Sequence, residues 1–98
     1  MAGTSQKFKY AFSVQDSNPE RAIRLYSEDL KEHLDNYSAY NNRGFCKMNL
    51  AERNKDKGLL EEAKTDFKQA IKICEEQGNG PFYGALDNLK RADSVLIK

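Results

Sequence analysis

The sequence contains no tryptophan, one histidine, two cysteines and two prolines. Each scarcity excludes a class of protein. Cys46 and Cys74 are too few and too far apart for a disulfide framework, and each falls inside an apolar helical pattern, so both read as reduced, packed thiols. His33 has Glu32 and Asp35 as neighbours, but they lie on different helix faces and no cysteine joins them. That is no metal-ligand set. Near a helix C-terminus, where partial positive charge is favourable, His33 reads instead as a solvated residue.

Charge of one sign is also missing: 16 Lys plus Arg against 15 Asp plus Glu leave a net charge of +1. Without a field to attract phosphates or anionic lipid, neither nucleic acid nor a membrane surface is expected as a partner. No stretch approaches the ~20 apolar residues of a membrane span, and Met1–Tyr10 lacks the apolar core of a signal peptide, which implies a cytoplasmic address. Phosphate loops, nucleophile motifs and metal signatures are absent. A chain of 98 residues buries about 60 to 65% of its unfolded surface, leaving little room for a deep cleft. No enzyme and no cofactor is expected.

What is present is helical periodicity. Apolar spacing predicts five helices in one domain, residues 1–98. The first covers about Gln6–Gln15, using Phe8, Ala11, Phe12 and Val14. Asp16-Ser17-Asn18 then breaks the chain, and Pro19 suits the first turn of a second helix reaching about Leu34. A third helix runs from Tyr37 to about Asn54, and a polar bend follows over Asn54–Gly58. The fourth, about Leu59–Glu76, stops at the glycine-rich Gln77–Gly80. The last starts near Pro81 and uses Phe82, Ala85, Leu86, Leu89, Ala92 and Leu96. The charges Glu61, Glu62, Lys64 and Asp66 read as a solvated helix face.

Two of these segments carry a repeat pattern. Tyr40-Asn41-Asn42-Arg43-Gly44 places a small residue four positions after an aromatic, and Ala63-Lys64-Thr65-Asp66-Phe67 places an aromatic four positions after Ala. Together they resemble the tetratricopeptide repeat. Gly44 and Ala63 would let two helix backbones come close, with Tyr40 and Phe67 filling the space beside them. Ala22–Tyr26 repeats the second half 41 residues earlier, seven more than the family's period of about 34. The surplus lies at Ala51–Lys57, where seven residues shared between two helices would lengthen each by about a turn. Departures are Lys47 where the family often has Tyr, Glu75 where Pro commonly closes the repeat, and Tyr10 where Gly or Ala is expected. An unrelated five-helix array is the competing architecture.

The resemblance implies an all-α fold of antiparallel helix pairs stacked as a short right-handed superhelix. Repeat 1 would span residues 6–34, repeat 2 residues 37–77 with an extended hairpin at 51–57, and a capping helix residues 81–97. It also implies a non-catalytic adaptor or small chaperone that holds a protein or peptide partner in a groove lined by the first helix of each pair. The groove residues would be Lys7 and Ala11, then Asn41, Asn42, Phe45, Met48 and Asn49, then Phe82, Leu86 and Leu89. Phe45 and Met48 suit an adaptable apolar contact, though core is the other reading for both. A carboxylate clamp is not expected, because only Lys7 and Asn42 match its donors while Ala11, Asn79 and Tyr83 do not. The alternative function is self-association, since two repeats scarcely cover their own faces; a homodimer would result.

Overall fold

Four helix starts are encoded by the same local device. Ser5, Asn18, Asn36 and Asp56 each accept a hydrogen bond from the backbone N–H three residues on, a cap worth about 1 kcal/mol apiece. These caps open α1 (Gln6–Val14), α2 (Pro19–Glu32), α3 (Tyr37–Asn54) and α4 (Lys57–Glu76) of a computed structural model that describes residues 5–97. The fifth helix, α5 (Tyr83–Ser94), begins after Phe82 without a side-chain cap. Among the described residues the fold is all-helical, without strands.

Some helix ends differ from the periodicity. α2 stops at Glu32, because His33 leaves the helical region and its carbonyl accepts the Asn36 N–H in the turn that follows. Leu34 is thereby thrown 69% into solvent instead of extending the α2 stripe. The bend after α3 is shorter than expected. Lys55 alone takes a left-handed conformation, φ 56°, and Asp56 caps α4 at once, so Lys57 and Gly58 are already helical. α5 starts two residues after Pro81 and ends before Leu96, which is 86% exposed.

Packing joins the helices into two apolar clusters that share α3. Ala11 of α1, Ala22, Tyr26 and Leu30 of α2, and Ala39 and Cys46 of α3 form the first. Met48 and Ala51 of α3, Leu60, Ala63 and Phe67 of α4, and Ala92 of α5 form the second. α3 and α4 run antiparallel: Arg43 meets Asp66 while Lys47, further along α3, meets Glu62, earlier on α4. Gly44 sets their separation. A Cβ there would lie 2.7 Å and 2.9 Å from two ring carbons of Phe67 and 3.0 Å from the Ala63 carbonyl oxygen, closer than side chains tolerate.

In the first pair the small residue sits one position further along than expected. Ala11 is fully buried, so it belongs to the core and not to an open groove. Tyr10 turns outward, with the Arg21 guanidinium 5.2 Å from its ring centroid.

Candidate functional site

α5 runs parallel to α3, and the seam between them holds a concave feature that includes the expected groove residue Met48. At one end the Asn88 amide donates to Asn41 Oδ1 at 3.0 Å. At the other, Met48, Glu52, Arg91, Ser94, Val95 and Leu96 line an open cleft of about 280 Å³. Glu52 and Arg91 are solvent-exposed, which puts one charge of each sign at the cleft.

The residues expected to line a single groove are distributed over several environments. Met48 is 1% exposed and belongs to the second core cluster, so it serves as buried floor and not as an adaptable surface contact. Phe45 is half-buried and packs against that cluster. Asn49 is half-buried on the same side of α3, one helical turn from Phe45. Asn42 turns the other way, toward Tyr26, whose hydroxyl donates to Gln15 Oε1 at 2.6 Å. Burial foremost, with the Cys46 thiol and Asp16 adding to it, raises the Tyr26 pKa, and nearby Asn42 only partly opposes the rise. Lys7 lies 3.7 Å from Glu28 and 3.6 Å from Glu32, held against α2. Phe82, just before α5, packs edge-to-face on Tyr37, the first residue of α3, at 5.3 Å, where the seam begins. Leu86 is exposed and Leu89 half-buried against the second cluster. The structure thus brings together Asn41, Phe45, Met48 and Asn49, with Phe82 at the start of the same seam, and leaves Lys7 and Asn42 apart from them.

Sequence reading missed Glu52, Arg91 and Asn88, because nothing in a run of charged and polar helical residues marks which of them face a neighbouring helix. It also misplaced Asp66. This carboxylate is 4% exposed. It accepts from Arg43 Nε and Nη2 at 2.9 Å and 2.7 Å, and Lys47 Nζ stands 3.4 Å away while bonding Glu62 at 3.1 Å. Arg43 reaches back to the Ser27 hydroxyl at 3.1 Å, tying α2, α3 and α4 together. Burial works against the Arg43 charge, but the hydrogen bonds and charge of Asp66 outweigh it and raise its pKa further. Lys64, also assigned to the solvated face, bridges Glu61 at 3.1 Å and Asp93 of α5 at 3.5 Å. Only Glu61 and Glu62 of the four charges are largely solvated.

The second buried carboxylate is Asp29. It accepts from the Ser5 hydroxyl and from Asn36 Nδ2 at 3.1 Å, with His33 Nε2 at 3.9 Å. His33 therefore leans on a buried acid and is not simply free in water. Cys46 and Cys74 are free and buried, and burial foremost, aided by Asp16, pushes the Cys46 thiol up to about 12. Such a thiol stays protonated and unreactive near neutral pH. Among the described residues no three His, Cys, Asp or Glu side chains gather as a metal site, and no helix is long and apolar enough to cross a membrane.

Comparison with protein families, curated proteins and solved structures finds no match to this chain.

Proposed function

We propose that this protein is a non-catalytic interaction module of tetratricopeptide-like, right-handed architecture, and that a protein or peptide partner lies along the α3–α5 seam. The observation carrying this reading is the cleft at the end of that seam, with Met48 as its apolar floor and Glu52 and Arg91 offering both charges. Apolar floors flanked by polar groups are the usual composition of binding sites. No reaction is assigned, since the buried carboxylates are engaged in holding helices together and burial keeps the Cys46 thiol protonated. Two free, buried thiols suit a reducing, cytoplasmic setting.

A photo-crosslinking residue at Asn49 should couple to a discrete partner in native extract, whereas the same group at exposed Lys68 on α4 should not. Equal products from both positions, or none from Asn49, overturn the reading.

Self-association has one observation in its favour. Tyr83 projects from α5 with 70% of its surface exposed, beside outward-facing Leu86. Sedimentation at increasing concentration tests it: an unchanging monomer mass dismisses it.

A further inference from the structure

The segment that follows α5 has a form of its own. α3 and α4 finish on left-handed residues, Lys55 and Gly78, that turn the chain away. α5 has no such stop. Val95 enters extended geometry at φ −72°, ψ 125°, with its N–H still bonded to the Ala92 carbonyl at 3.2 Å. Val95 and Ile97 then pack half-buried on the second cluster, while Leu96 between them is 86% exposed. This two-residue alternation is the pattern of a strand lying on an apolar surface.

The cluster that Val95 and Ile97 pack on includes Met48, Ala51 and Leu60, at the end of the α3–α4 hairpin, with Leu59 packed against it as well. Val95 and Leu96 also wall the cleft that holds Met48, Glu52 and Arg91. The strap and the cleft are therefore one continuous feature. The strap's hold is slight: two aliphatic side chains, and among the described residues no main-chain hydrogen bond from Leu96 or Ile97 to α3 or α4. Hydrophobic anchoring of this kind is local and reversible.

We infer that Val95–Ile97 is a displaceable internal occupant of the partner site, and that the site takes an extended peptide bearing aliphatic side chains two residues apart. This deepens the reading of the cleft as the partner site, and the chain supplies its own example of the ligand. Both aliphatic side chains would enter where Val95 and Ile97 now sit, with the residue between them facing solvent as Leu96 does. Held in cis, the strap competes at an effective concentration on the order of millimolar. Partners must therefore exceed it in length or apolar contact.

The test uses a peptide with the sequence of residues 90–98, KRADSVLIK, added to the full chain and to a chain ending at Ser94. Backbone NMR shifts at Met48, Ala51, Leu59 and Leu60 report binding. The shortened chain should bind the peptide at least tenfold more tightly than the full chain, and a peptide with Ser at the Val and Ile positions should bind neither. Equal binding to both chains, or binding to neither, overturns the inference. If the shortened chain loses cooperative melting, the same titration is made on the full-length Val95→Ser, Ile97→Ser variant. Should that variant also fail to fold, the strap is part of the core and the inference falls. The outcomes are separable from the crosslinking result: no product from Asn49 dismisses the partner reading, while a failed titration with a product from Asn49 dismisses only the strap.

Discussion

Each hairpin buries a carboxylate on its second helix, Asp29 near the end of α2 and Asp66 midway along α4, and the two are held by different chemistry. In α1–α2, Asp29 accepts from neutral donors, Ser5 and Asn36, which begin α1 and α3. In α3–α4, Asp66 is held by two cations, Arg43 and Lys47. The first arrangement stitches helix starts to a neighbour. The second locks the faces of two long helices, 18 and 20 residues against 9 and 14 in the first pair. Neutral partners tolerate loss of the acid's charge, whereas removing the acid from a buried cationic pair leaves charge without compensation.

That contrast is open to direct test. Asp66→Ala should give the largest effect, a loss of about 3 to 5 kcal/mol, because Arg43 and Lys47 are left facing each other in a mostly buried site. Chemical denaturation measures it, and a loss no greater than that of Asp29→Ala would erase the distinction between the hairpins.

Gly44→Leu should follow, at about 1 to 3 kcal/mol or more, through overpacking against Phe67. An unchanged melting temperature would show that α3 and α4 can separate without penalty.

The thiol of the first cluster gives a smaller, pH-dependent effect. Cys46 loses its proton near pH 9.0 in the unfolded chain but only at about 12 in the fold. Its contribution to stability is therefore complete below pH 9.0 and disappears as pH rises towards 12. Cys46→Ala removes that dependence, so the difference in melting temperature between the two proteins should shrink as alkalinity increases across this window. A constant difference would place the thiol in contact with water.

Smallest is Asp29→Asn, about 0.5 to 1.5 kcal/mol, since the amide oxygen can still accept from Asn36 in place of Oδ2 while the amide N–H, in place of Oδ1, donates to the Ser5 hydroxyl oxygen. A cost matching that of Asp66→Ala would mean that the Asp29 site depends on its carboxylate charge as strongly as the Asp66 site does.

Helix order and the starts of α2 and α3 were legible in the sequence because caps are local: Asn18 and Asn36 act on amides three residues away, whereas the same device at Asp56 lay hidden in a polar run and α4 starts two residues earlier than expected. Gly44 was legible through its spacing from Tyr40 and its counterpart in Ala63–Phe67. The seam was not. Whether Met48 faces a groove or a core depends on where α5 lies, and the loop Gln77–Phe82 that places it turns through left-handed Gly78 and Gly80. Asp66 misled for a related reason. On a helix wheel it belongs with Glu62, and only the partners contributed by α3, Arg43 and Lys47, draw it inside.

The α3–α4 turn exposes Arg53, Lys55 and Lys57 at its tip, while every tie between the helices lies behind them. Tryptic cleavage there would sever the main chain without severing the molecule. The two pieces would stay joined through Arg43 on Asp66, Gly44 on Phe67 and Ala51 beside Leu60. The same tip is accordingly a place to divide the gene product in two and have the halves find each other, each carrying half of a surface that neither completes alone.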